Sequence, residues 1–292
     1  MTRWPELRVE DWADTRDTLH MWTQIVGKVA LKLAPPINHW WGSTFRVTAR
    51  GYETILLGDV QIVFDFRDHE LTIDTTDGDR RTLALAPRSV ADFYHEFRTK
   101  LTELGIDVTM YARPVEVSVA IPFARDETHA SYDSDAVERF HQMLVATTDV
   151  LSEFRARFIG KVSPVQLFFG GFDLAVTRFS GRPAPRHRGG VPNCPDYVQQ
   201  IAYSHEVSSA GYWPNGEGEG MFYSYAYPEL PGFKTAADAH YDDGFGEFVL
   251  PVTEVRTASD PDEALMTFLQ STYEAAANSA SWDRAALEAR RS

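Results

Sequence analysis

One order of elements recurs along this chain and constrains its fold more than any single motif does. Gln24-Ile25-Val26-Gly27-Lys28-Val29 closes a helical pattern and leads to a strand-like run, the aromatic pair Trp40-Trp41 and a strand over 45–51 that ends in Gly51. Arg157-Phe158-Ile159-Gly160-Lys161-Val162 does the same, ahead of Phe168-Phe169 and a strand over 174–181 that ends in Gly181. Each half then closes on a strand followed by a helix. Repetition of this kind predicts one globular unit over 1–292 built from two related halves, 1–130 and 131–292.

Helices are expected where apolar residues recur three and four apart. These segments are 14–26, 90–104 behind a Ser89 cap, 134–158 behind a Ser134 cap, and a helix from Pro261 capped by Asp260 with Leu265, Phe268, Leu269 and Tyr273 on its inner face. Strands are expected at 29–33, 45–49, 60–66, 71–74, 82–86, 108–111, 115–119, 165–169, 174–179, 206–209, 221–226 and 248–252. Segments 64–66 and 71–73 alternate like the arms of a hairpin. Antiparallel sheets with helices packed on one side, an α+β class, fit this order better than a doubly wound sheet.

Charge narrows the partners. The chain carries 28 Lys and Arg against 42 Asp and Glu, a formal net charge of −14. That field repels nucleic-acid phosphates and anionic membrane surfaces, so a small-molecule ligand is expected, with no nucleic acid and no membrane. Cys194 is the one cysteine, which fits a reducing compartment. The first residues carry acidic groups rather than the apolar run of a secretory signal, and a cytoplasmic setting is expected.

The stretch 203–227 (YSHEVSSAGYWPNGEGEGMFYSYAY) gathers ionisable, aromatic and small residues between two Gly- and Pro-rich excursions, 182–196 and 213–220. Long irregular segments in compact domains often carry function. His205 and Glu206 are candidate proton-transfer groups. As strand neighbours they face opposite ways, so any partner must come from elsewhere. His39, behind Pro35-Pro36-Ile37-Asn38, is the candidate partner, against the alternative of a histidine hydrogen-bonded in an aromatic core. Lys28, Lys161 and Arg178 are candidates to hold substrate charge, the plain alternative for a lysine being an ion-pair partner for surface carboxylates. Trp40, Trp41, Tyr212 and Trp213 would wall the site. No metal set has the required spacing, the residues assign no cofactor, and Gly-x-Ser-x-Gly, a Walker loop and a Rossmann fingerprint are missing.

Several strings together carry a resemblance: DTRDTLHMWTQIVGKV, PPINHWW, PRSVADFY, HASYD, FIGKVSPV, FDLAVTRFSGR, YSHEVSSAGYWPN and WDRAALE. From Trp4 to Glu288 the chain resembles the bacterial family of unknown function DUF5996. The resemblance implies no activity, cofactor or fold, but its unbroken run favours one unit over two independent domains. Three functional classes follow from the residues: an enzyme doing acid/base chemistry on a small polar or anionic metabolite between the halves, a non-catalytic binder of a sugar-like or aromatic ligand, and a structural subunit using its aromatic strips as oligomer contacts.

Overall fold

The computed structural model describes residues 3–235, 237 and 239–289. Its first element, α1 (Val9–Leu33), keeps Trp12, Leu19, Trp22, Ile25, Val26 and Val29 buried along its length. The helix therefore runs straight through the strand expected at 29–33. It stops where Pro35 forces Ala34 into extended backbone (φ −71°, ψ 148°). A 3-10 turn, Asn38–Ser43, follows.

Five strands then form a meander: β1 (Phe45–Val47), β2 (Gly51–Thr54), β3 (Val60–Asp65), β4 (Glu70–Thr75) and β5 (Arg80–Ala84). Alternation sets their register, since Ile62 lies opposite Ile73 and Phe64 opposite Leu71, all four buried. α2 (Val90–Glu103) starts at the expected cap, with Ser89 Oγ accepting from the Asp92 amide. The strands expected at 108–111 and 115–119 do not form, and both segments are irregular. α3 (Ser134–Ala156) is capped by Asp133 rather than by Ser134, because the carboxylate of Asp133 accepts from the Ala136 amide.

The second run of strands is β6 (Gln166–Phe168), β7 (Asp173–Pro183), β8 (His205–Trp213), β9 (Met221–Tyr227), β10 (Tyr241–Asp242) and β11 (Glu247–Pro251), with α4 (Asp196–Ala202) between β7 and β8. α5 (Val252–Thr257), α6 (Pro261–Ser279) and α7 (Arg284–Leu287) close the chain, and Asp260 caps α6 as expected.

All eleven strands join one antiparallel sheet in the order β10-β11-β9-β8-β7-β6-β1-β2-β3-β4-β5. Each half runs outward from the central β1·β6 pair, where Phe45 meets Leu167. The fold is thus α+β, with α2 over β5, α3 over β1 and β7, and α6 over β8 and β9. Leu174, Val176, Tyr212, Phe222 and Phe248 face that helical layer and join one apolar core.

The two Gly-Lys-Val segments do not occupy matched places. Gly27-Lys28-Val29 sits inside α1, whereas Gly160-Lys161-Val162 lies past the end of α3, where Val162 bridges Arg178. The aromatic pairs differ too, Trp40-Trp41 lying in the 3-10 turn and Phe168-Phe169 at the end of β6.

Candidate functional site

Strand alternation sends Asp173, Ala175 and Thr177 of β7, Ser209 and Trp213 of β8, Tyr223 and Tyr225 of β9, and Glu247 of β11 to the face opposite the helical core. These residues form one wall of a cavity of about 1260 Å³. α1 contributes His20 and Lys28, and the irregular segments 111–119 and 191–195 supply Tyr111, Glu116, Asn193 and Cys194. Both halves of the chain line it.

The two irregular segments are tied to the scaffold and to each other by hydrogen bonds. Gln24, fully buried in α1, clamps Val115 from both sides. Its Nε2 donates to the Val115 carbonyl and its Oε1 accepts from the Val115 amide, each at 2.8 Å. The Glu116 amide donates to the Pro192 carbonyl (2.8 Å), and Asn193 Nδ2 donates to the Val117 carbonyl (2.7 Å). This lattice fixes the backbone that carries Glu116.

Two adjacent glycines bring two carboxyl groups together. A Cβ on Gly170 would lie 2.1 Å from Glu116 Oε1, and a Cβ on Gly171 would lie 2.8 Å from Asp173 Oδ1 and 3.7 Å from Glu116 Oε2. Only residues without side chains leave room for both carboxyls there. His20 Nε2 hydrogen-bonds to the carbonyls of Phe169 (3.0 Å) and Gly170 (2.9 Å), and Trp213 Nε1 donates to the Gly171 carbonyl (3.1 Å). Tyr223, lying across Gly211, donates its hydroxyl to Asp173. Farther along the floor, Tyr203 donates to Tyr225 (2.9 Å) and Thr177 meets Ser209 (2.8 Å).

Desolvation shifts six ionisable groups here, Glu116, Asp173, Glu247, Lys28, His20 and Cys194, toward their neutral forms. Glu116 is exposed where the cavity opens, with the protein packed closely around its carboxyl on the remaining sides. Desolvation, reinforced by Asp173 and opposed by Lys28, holds it up to about 7. Asp173 is raised to about 6 by burial, against the Tyr223 hydrogen bond, and Glu247 to about 7 by burial and the charge of Asp173. Lys28 is pushed down to about 8 by desolvation, His20 down to about 4, and the Cys194 thiol up to about 11. Three carboxyls and an amine shifted toward neutrality in one cavity form a set able to exchange protons with a bound molecule.

Backbone strain gathers at the same place. Among the described residues, seven non-glycine positions have positive φ, and five of them line this cavity: His39 (59°), Trp40 (65°), Glu116 (62°), Phe172 (59°) and Asn193 (55°). Asparagine tolerates that conformation, but for the aromatic residues it is costly and persists only where the surroundings enforce it. Residues 4–289 match the family described as a family of unknown function, DUF5996. The chain belongs to DUF5996. No curated protein and no solved structure matches this DUF5996 chain.

The residues singled out from the DUF5996 sequence divide into three groups. His39, Trp40 and Trp41 line the cavity beside Lys161 and His205. His39 Nδ1 hydrogen-bonds to the Ala202 carbonyl (3.0 Å), and Lys161 Nζ lies 2.7 Å from His39 Nε2. The His205 ring is 6.1 Å from that of His39, and Lys161 also lies over the Phe179 and Trp41 rings at 4.8 and 5.6 Å. Trp40 Nε1 donates to the Val198 carbonyl (2.9 Å). Lys28 and Trp213 line the cavity from other sides.

Glu206, Arg178 and Tyr212 point the other way. Glu206 accepts from Ser180 (2.8 Å) and Arg182 (2.7 Å), and Arg178 lies buried over the Phe154 and Tyr273 rings at 3.4 and 4.2 Å. Tyr212 packs on Phe222 in the helical core. Alternation along β7 and β8 decides this, since these even-numbered positions turn toward the helices.

Sequence reasoning passed over Glu116, Asp173, Glu247, Tyr223, Tyr225 and His20. Gly170-Gly171 just before Asp173 and the alternating aromatics of 222–227 carried some signal, but nothing local ties Glu116 to a strand more than fifty residues away. Among the described residues, no three His, Cys, Asp or Glu side chains gather as a metal-binding set.

Proposed function

We propose that this DUF5996 protein is an enzyme doing acid/base chemistry on a small polar metabolite held in the cavity. Glu116 and Asp173 serve as the proton-exchanging pair. The observation that carries this reading is the convergence of the two carboxyls over Gly170-Gly171, with Glu116 itself and Phe172, next to Asp173, held at positive φ. Carboxyls of unequal environment that keep protons near neutrality divide naturally into an acid and a base. Lys28 sits on one side of the pair, and the hydroxyls of Tyr225, Thr177 and Ser209 offer fixed partners for substrate polar groups. His39, Lys161 and His205 border the aromatic side of the cavity and would hold an outlying part of the substrate.

The test incubates wild type, Glu116→Gln and Asp173→Asn with a metabolite mixture and follows it by mass spectrometry. The wild type is expected to consume at least one compound, and Glu116→Gln to do so about 100-fold more slowly or worse, the usual scale for a lost general acid or base. A compound consumed at equal rate by all three proteins removes the pair from the mechanism. The aromatic walls favour a second reading, a non-catalytic ligand carrier, which saturable binding without product would support. A cytoplasmic setting and a duplicated origin belong to the same proposal. The single cysteine supports the first, and the outward order of strands from the β1·β6 pair supports the second.

A further inference from the structure

Three charged groups that face this cavity, Lys28, Asp173 and Glu247, form no ion pair among the described residues. Lys28 is 5% exposed, lines the cavity, and has no hydrogen-bond or ion-pair partner among the described residues. The Tyr111 ring lies 5.6 Å from the ammonium nitrogen, and Cys194 and Glu116 are near enough to act on its charge without pairing with it. A buried ammonium group left in this state calls for an anionic group from outside the chain. Asp173 and Glu247 also form no ion pair among the described residues. Asp173 receives one hydroxyl from Tyr223, and Glu247 stands beside Tyr225, whose ring stacks on Tyr223 at 6.0 Å. Carboxylates beside aromatic faces match an ammonium group, which gains from both.

Extending the reading that this cavity is the working site, we infer that it binds a zwitterion with an apolar or aromatic body: its ammonium group goes to Asp173 and Glu247, and its carboxylate to Lys28. Glu116 shares the Gly170-Gly171 ledge with Asp173, and its carboxyl feels the charges of both Asp173 and Lys28. It is therefore adjacent to both charged ends of the bound molecule. The body of the ligand occupies the space walled by Phe168, Phe169, Trp213 and Trp41. Desolvation moves Lys28, Asp173 and Glu247 toward their neutral forms, and a bound zwitterion would supply an opposite charge to each end.

Calorimetry on the full chain with three probes sharing one indole body tests this: L-tryptophan, with both charges, tryptamine, with only the ammonium, and indole-3-propionate, with only the carboxylate. L-Tryptophan is expected to bind saturably and at least tenfold more tightly than either of the others. Lys28→Met should erase its advantage over tryptamine, and Glu247→Gln its advantage over indole-3-propionate. Equal affinity of L-tryptophan and either singly charged probe for the wild type overturns the inference, as does the absence of binding by all three. That comparison needs no variant, so a misfolded mutant cannot obscure it. Binding of L-tryptophan without turnover of any metabolite would leave the zwitterion site standing and remove the enzyme reading. Turnover of an uncharged compound, with no preference among the probes, would do the reverse.

Discussion

Asp173 and Glu247 hold their protons up to about 6 and about 7 in the folded chain, against roughly 4 for carboxyls in an unfolded one. The native state therefore binds these protons more tightly, and it loses stability relative to the unfolded chain as pH rises from about 4 to about 7. His20, lowered to about 4 from its usual 6.5, acts in the opposite sense and adds native stability as pH rises through that interval. Replacing Glu247 by Gln removes one of the opposing carboxyls. The expected result is a melting temperature a few degrees higher at pH 8, about 1 kcal/mol after allowance for partial solvent contact, and no change at pH 4. Equal melting temperatures at pH 8 would show that this carboxyl is not desolvated. Arg178 offers a second residue-scale measurement. It is 1% exposed, its Nε and Nη1 have no hydrogen-bond partner, and burial lowers it to about 9. Among the described residues, its guanidinium makes one hydrogen bond, to the Phe154 carbonyl. Arg178→Met keeps the bulk between Phe154 and Tyr273 without a buried charge and should melt no lower than wild type. Arg178→Ala should lose about 3 kcal/mol in urea unfolding, because it leaves a hole under both rings.

At the scale of elements, α1 shows where local pattern and tertiary packing part company. Glycine inside a helix normally costs about 1 kcal/mol relative to alanine. A Cβ at Gly27, however, would meet the Phe169 ring at 2.4 Å. Gly27→Ala is therefore expected to destabilise the protein by about 1–3 kcal/mol, against the helix scale, as read from denaturant midpoints. A stabilised variant would mean that Phe169 swings away freely. The helix also extends to Leu33 although 29–33 is rich in β-branched and aliphatic residues, because Val29 and Ala30 are fully buried on its inner face. The alternation of Val115, Val117 and Val119 reads as a strand, yet no neighbouring strand receives it. Gln24 takes its backbone hydrogen bonds instead, and Val119 is left 73% exposed. Propensity for β structure is realised only where a partner edge exists. By contrast, the Ser89 and Asp260 caps and the 60–65 with 70–75 hairpin were legible, since each rests on residues within a few positions of one another.

Across the whole molecule, the sheet passes without interruption through the β1·β6 pair, and one apolar cluster reaches from Trp4 to Trp282. Calorimetric unfolding is accordingly expected as a single transition whose measured enthalpy equals its van't Hoff enthalpy. Two resolved transitions would mean that the halves fold independently. No helix among the described residues is long and apolar enough to cross a membrane. By itself the sequence determined the α+β class, most of the strands, the main helix caps and the family, because periodicity, capping and motif order act over short stretches of chain. Only the tertiary structure decided which face of β7, β8 and β9 became a cavity wall. It alone placed Glu116 over Gly170-Gly171, and it turned Arg178, Glu206 and Tyr212 away from the site. Those outcomes depend on contacts between residues dozens to more than a hundred positions apart, which no local pattern encodes.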